Sequence, residues 1–271
     1  ALMKAKPVFV DIEESAFVID PNKIEAAITP KTKAIMPVSL YGQPADLDEI
    51  NAIATKHNLK IIIDGAQSFG ATYNGQSEVH HCDIFTTSFF PAKPLGCYGD
   101  GGAVLTNSAN YAEKIKMMRV HGQNKRYHHK YIGIGGRLDT IQSAVLLAKL
   151  PHYKNELENR DRIARTYKEQ LSGTVKTPDV KPDRTNVWAQ YTVLVKESDE
   201  LGAKLKKEGI PTAVHYPMPL HMQECFQYLD LKQGDFPVAE QIAQEVTSLP
   251  MNPFLTDEEI KYITDTLKKT I

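Results

Sequence analysis

Ile61-Ile62-Ile63-Asp64-Gly65-Ala66-Gln67-Ser68-Phe69-Gly70-Ala71 is an apolar, β-branched run that ends in a carboxylate and a glycine. A short run with no polar face reads as a strand buried in a sheet, and this one delivers Asp64 at its C-terminal end. In open α/β sheets ligands collect along that edge. Towards the N-terminus the alternation continues. Val8 to Ile12 predicts a strand, Pro21 to Ile28 a helix, Ala34 to Leu40 a strand, and Asp46 to Asn58 a helix whose Leu47, Ile50, Ile53 and Ala54 share one face. Towards the C-terminus, strands are expected at Ile84 to Phe89 and Ala103 to Thr106, followed by a helix from about Asn110 to Val120. Strand, helix and strand in repetition predict an α/β fold with a mainly parallel sheet covered on both sides.

From Asp139 to Leu171 the chain is rich in good helix formers, and Pro151 marks a break or kink, so two consecutive helices or one bent helix are expected. This segment bridges the predicted units: a large domain over residues 1–150, then a connecting helix and a small C-terminal domain over 151–271. In the latter, Trp188 to Val195 predicts a strand and Glu200 to Glu208 a helix ended by Gly209. Thr256 with Glu259 predicts a capping box that opens the last helix. Trp188 and Tyr191 alternate with Val187, Ala189 and Val193 as a half-buried strand does, which makes them core rather than a substrate platform.

A formal net charge of -1 with both signs interspersed leaves no electrostatic footprint for nucleic acid or an anionic membrane. The apolar runs fall far short of the roughly 20 residues that cross a bilayer. Three cysteines, Cys82, Cys97 and Cys225, are an odd number without framework spacing. They fit a reducing compartment, so a cytoplasmic location is expected. The opening Ala1-Leu2-Met3-Lys4-Ala5-Lys6-Pro7 has neither an initiator methionine nor a signal-peptide pattern, and it reads as a start inside a domain.

Two stretches carry chemistry. Asp64 either caps a turn or pairs with a cationic heterocycle; pyridoxal phosphate (PLP) needs such a partner to keep its pyridine nitrogen protonated as an electron sink. The second stretch, Thr86-Thr87-Ser88-Phe89-Phe90-Pro91-Ala92-Lys93-Pro94-Leu95-Gly96-Cys97-Tyr98-Gly99-Asp100-Gly101-Gly102, sets a lysine in a constrained loop after a strand. Most lysines are solvated surface charges, but one held in a partly apolar loop can lose its proton and attack an aldehyde. Ser88 offers a hydroxyl to a phosphate, and the glycines permit close backbone approach. His80-His81-Cys82 and His121 with His128-His129 lack the spacing of a structural zinc site, so no metal is expected. Cys97 reads as a small packing residue.

Asp64-Gly-Ala-Gln67, Ser88-Phe-Phe-Pro-Ala-Lys93 and Gly99-Asp-Gly-Gly102 together resemble the signature of the DegT/DnrJ sugar aminotransferases, fold-type I PLP enzymes. The resemblance extends over Tyr41-Gly-Gln-Pro44, Arg119-Val-His-Gly122, Arg137-Leu-Asp-Thr140 and His215-Tyr-Pro217, essentially the whole chain. It implies that Lys93 forms the Schiff base with pyridoxal 5'-phosphate and shuttles the proton. It further implies that Asp64 holds the pyridinium nitrogen, that Gln67 contacts the ring face or its hydroxyl, and that Ser88 binds the phosphate. A dehydratase branch of the family carries histidine in place of this lysine, so Lys93 favours transamination. Within the family, Arg126-Tyr-His-His129 and His215-Tyr-Pro-Met-Pro-Leu-His221 most resemble enzymes that aminate the 3-keto group of UDP-2-acetamido-2-deoxy-3-oxo-glucuronate with glutamate as donor.

By the same resemblance Arg137, reaching from the second subunit of a homodimer with shared active sites, acts with His215 and Tyr216 on the nucleotide-sugar substrate. The family pattern has an asparagine where this chain has Gly135, a position that reaches the phosphate of the neighbouring subunit's cofactor, and a histidine where it has Ser39. The family also has an N-terminal section that supplies phosphate donors and that this sequence lacks. Two other readings stand beside this one: an aminotransferase of a 4-keto-6-deoxy sugar nucleotide, and an incomplete domain that only binds or dimerises.

Overall fold

The computed structural model describes residues 1–271. Its central sheet has four strands in the order Ala34–Ile35, Lys60–Asp64, Ile84–Ser88 and Gly102–Leu105. The first two pairings are parallel and the last is antiparallel, with Ser88 opposite Gly102. The sheet is therefore mainly parallel, as expected, with one antiparallel edge strand. Physically, Gly96 to Gly102 turn the chain straight back on itself, with no crossover helix to reset its direction.

Lys60–Asp64 alternates exposed Lys60, buried Ile61 and buried Ile63, and it sits between two strands. The Leu47–Lys56 helix covers it, burying Leu47, Ile50 and Ala54. These residues, with Ile35, Tyr73 and Phe85, form one continuous hydrophobic cluster beneath the sheet.

Several predicted elements shorten or change. Val8–Ile12 is not a strand; only Ile12 forms an isolated bridge, to Ile19, because the segment has no neighbouring strand to hydrogen-bond along its length. Pro21–Ile28 divides into a 3-10 turn at Pro21–Lys23 and a single helical turn at Ile24–Ala27. The strand predicted to Leu40 stops at Ile35, although Val38 bridges to Asp64. Of the strand predicted at Trp188 to Val195 only Tyr191–Leu194 forms, since Trp188 takes a left-handed φ of 51° that no strand accommodates.

The region around Pro151 is a single helix, Thr140–Leu171, rather than two. Pro151 is exposed, where solvent can reach the carbonyl that loses its helical bond. This helix ties the molecule together. Tyr153 donates its hydroxyl to the Phe69 carbonyl at 2.5 Å, and Arg160 donates to the Trp188 carbonyl at 2.9 Å. Its C-terminal part enters the second hydrophobic cluster with the Tyr191–Leu194 and Val246–Leu249 strand pair and the Ser198–Lys207 and Asp257–Thr270 helices. The capping box of Thr256 and Glu259 opens the last of these as the sequence predicts. No helix is long and apolar enough to cross a membrane.

Leu205 is fully buried in this second cluster. Leu205→Ala is expected to cost about 2–5 kcal/mol, because the cavity left behind adds to the lost transfer energy. The urea midpoint should fall at an unchanged slope; an unshifted midpoint would show that the cluster closes over the gap.

Candidate active site

Asp64 and Ser88 end two neighbouring parallel strands, so both side chains emerge on the same sheet edge. The Asp64 Oδ1 accepts from the Ala66 amide at 3.0 Å, the turn-capping role expected of an aspartate there. Its Oδ2 makes no hydrogen bond within the protein, so one lone-pair face remains for another partner. Ser88 Oγ accepts from the Phe90 amide at 3.2 Å and keeps its proton to donate.

The Lys93 loop leaves the sheet at Ser88 and is pinned along its length. Lys93 N donates to the Phe90 carbonyl at 2.8 Å, and Cys97 N to the Phe89 carbonyl at 2.8 Å. The long helix reinforces this, with Lys149 Nζ on the Gly96 carbonyl at 2.7 Å and Gln142 Oε1 accepting from Tyr98 N at 2.8 Å. Gly96 is required: a Cβ there would lie 2.5 Å from the Pro91 carbonyl oxygen. Cys97 is buried and donates its thiol to the Phe89 carbonyl, a packing role.

Lys93 itself is half-buried and makes neither a hydrogen bond nor an ion pair through Nζ. Burial lowers its pKa from the ordinary lysine value, and the Asp64 charge partly opposes that shift. Asp64 therefore lies close enough for its charge to act on Lys93, and the two form no ion pair.

Gln67 and the C-terminal unit meet at the same place. Gln67 is buried, with Oε1 accepting from Tyr41 N at 2.6 Å and Nε2 donating to the Tyr216 hydroxyl at 3.3 Å. Tyr41 in turn donates its hydroxyl to the His215 carbonyl. His215 Nδ1 contacts Ser248 Oγ at 2.9 Å, and burial, with the Lys93 charge beside it, lowers its pKa. A neutral imidazole next to the amine is the consequence.

Asp64, Gln67, Lys93, His215 and Tyr216 are thus brought together, with Ser88 beside Asp64. Gly135 and Arg137 are not joined to them. Gly135 is exposed and bridges to Val120; Arg137 is exposed, with no hydrogen bond or ion pair. Tyr41 is a contributor the sequence reading passed over, though it stood inside a quoted motif. Ser248 was also missed, and a lone serine in a buried strand carries no local signal.

The profile of the DegT/DnrJ/EryC1/StrS aminotransferase family matches residues 1–268. The chain belongs to that family. One relative of this DegT-family chain, named UDP-2-acetamido-2-deoxy-3-oxo-D-glucuronate aminotransferase, is from Pseudomonas aeruginosa; it is 47% identical over 97% of this chain and 73% of its own length. Another, named dTDP-3-amino-3,6-dideoxy-alpha-D-galactopyranose transaminase, is from Aneurinibacillus thermoaerophilus, and it is 41% identical over 98% of this chain and 73% of its own. Among solved structures, S. venezuelae DesV in complex with a ketimine intermediate superposes with a TM-score of 0.94 at 38% identity, over 97% of this chain and 71% of that one.

The fold is that of the fold-type I aminotransferases, and the cofactor is pyridoxal 5'-phosphate. The donor set fits it. A free carboxylate oxygen, an unpaired desolvated amine and a hydroxyl open on one sheet edge, and each suits one part of the cofactor: ring nitrogen, aldehyde and phosphate.

Proposed function

We propose that the chain transfers an amino group from glutamate to the 3-keto group of a UDP-linked acetamido uronic acid, in surface polysaccharide biosynthesis. The observation that carries the amino-transfer chemistry is the desolvated, unpaired Lys93 in the field of Asp64. The 47% identity to the Pseudomonas aeruginosa relative over nearly the whole chain supports the sugar.

When bound, the cofactor supplies an aldehyde for covalent capture and a ring that withdraws electrons. Lys93 would hold the aldehyde through its amine and would carry the proton to and from the reacting carbon. Asp64 Oδ2 would keep a proton on the ring nitrogen. Gln67, held by Tyr41 and Tyr216, would contact the ring, and Ser88 would donate to the phosphate. His215 and Tyr216 face the substrate. Glutamate and the keto-sugar occupy this site in turn.

Arg137 supplies a cation for the uronate carboxylate from a partner subunit, with Gly135 near that subunit's cofactor phosphate. Support for such a homodimer comes from Ile132, Ile134 and Ile141, three large apolar side chains exposed around these two residues. Residues 1–150 form the cofactor-binding unit in this reading, and 151–271 the connecting helix and small unit.

A half-reaction screen of the pyridoxamine-loaded protein against UDP- and dTDP-linked keto-sugars tests the assignment. The UDP 3-keto uronate is expected to react at least about 100-fold more efficiently, since an unpaired cation rejects a sugar without the carboxylate. Arg137→Ala should raise its KM by about 10- to 100-fold, the worth of one charged hydrogen bond. Preference for a 4-keto-6-deoxy sugar nucleotide would establish the second reading instead, and preference for a dTDP-linked 3-keto-6-deoxy sugar, the kind of product in the Aneurinibacillus relative's name, would overturn the uronate assignment.

A further inference from the structure

Behind the face that carries Gln67 lies a carboxyl group with no part in the chemistry described above. Glu78 is only 1% exposed, at the start of the Glu78–His81 turn. Its two oxygens accept from two different serines, Oε1 from Ser39 Oγ at 2.5 Å and Oε2 from Ser68 Oγ at 2.5 Å. Both serines are themselves fully buried.

The serines belong to the two turns that build the site. Ser39 opens the turn Leu40–Gly42, in which Tyr41 has φ 59° and Gly42 φ 112°. A tyrosine in the left-handed region persists only where its surroundings hold it. From that turn the Tyr41 amide reaches Gln67 Oε1. Ser68 follows Gln67 directly and closes the turn that Asp64 begins, its amide donating to the Gly65 carbonyl.

We propose that Glu78 is a positioning residue: its carboxyl group clamps the Ser39–Gly42 turn to the Asp64–Ser68 turn and thereby sets the Gln67 carboxamide and the Asp64 carboxylate to receive the cofactor ring. The inference rests on the PLP reading of the site.

The environment of the clamp makes it sensitive to proton concentration. The cation whose charge acts on it, Arg184, is spent on Asp46 and Asp183 at 2.7 Å each. Burial therefore pushes the Glu78 carboxyl up to about 7, against the pull of Ser39, Ser68 and Arg184. The Cys82 thiol on the same turn is pushed up by burial and by Glu78. Tyr73 packs against both Arg184 and His81 nearby. Protonated, the carboxyl offers the serines one donor and one acceptor; ionised, it offers acceptors only. A glutamine side chain offers the same pair as the protonated acid and does not titrate.

The test is the dissociation constant for PLP of the cofactor-stripped full chain, by absorbance titration between about pH 6 and 8.5, with circular dichroism to verify folding. Glu78→Leu is expected to weaken PLP binding by about 10-fold or more, the scale of a small misplacement of site residues. Glu78→Gln should bind within about twofold of wild type at the acid end, and the ratio of the two constants should change by about threefold or more as pH rises through 7. A constant ratio, or a folded Glu78→Leu protein that binds within twofold of wild type, overturns the clamp and leaves the site reading intact. If Glu78→Leu does not fold, the glutamine ratio alone decides. Failure of the wild-type chain to bind PLP overturns the site reading and the clamp together.

Discussion

Lys93→Ala is expected to stop both halves of the amino transfer, by at least about 10,000-fold, because one side chain supplies both covalent capture of the aldehyde and the moving proton. Borohydride should no longer fix the cofactor to the chain, which intact mass measurement reads directly. The fold should hold, since the amine makes no hydrogen bond or ion pair whose loss would destabilise it. Turnover within tenfold of wild type would remove Lys93 from the reaction. The loop around it, pinned by Lys149 and Gln142, would then need another purpose.

Asp64→Asn separates the two roles that Lys93 combines. The asparagine oxygen retains the bond to the Ala66 amide, so the turn survives, but no carboxylate faces the ring nitrogen. Proton abstraction is expected to slow by at least about 100-fold, as when a preorganised charge at a reacting centre is removed. Covalent capture should persist. Asp64 opposes the burial-driven lowering of the Lys93 pKa, so its neutralisation lets that pKa fall further and leaves more free amine at neutral pH. Borohydride fixation retained together with slow turnover is the expected signature; loss of both would make Asp64 a structural residue of the loop.

The parts of the site legible in the sequence were those with local causes. Asp64 follows an unbroken apolar strand, and Lys93 lies in a loop of prolines and glycines. Gln67 and Ser88 came with the same motifs. The Val8–Ile12 strand and the first part of the Trp188–Val195 strand were misread because β-branched and aromatic runs mark apolar packing as well as ladders, and ladder partners are absent at Val8 and at Trp188. Gly102–Leu105 was placed closely, yet its direction was not, since direction depends on how the loop before it turns.

By itself the sequence determined the strand–helix alternation, the carboxylate at a strand end, the lysine loop, the capping box and the family resemblance. Each is written in neighbouring residues whose conformational preferences act over a few positions. Only the tertiary structure decided that Lys93 and Asp64 share one field, that Tyr41 and Tyr216 hold Gln67 from opposite sides, and that Glu78 joins two serines from separate turns. Such contacts join residues far apart in the chain. They exist because the sheet, the Thr140–Leu171 helix and the C-terminal unit bury their apolar faces together, and no local periodicity encodes which distant side chains that burial brings into reach.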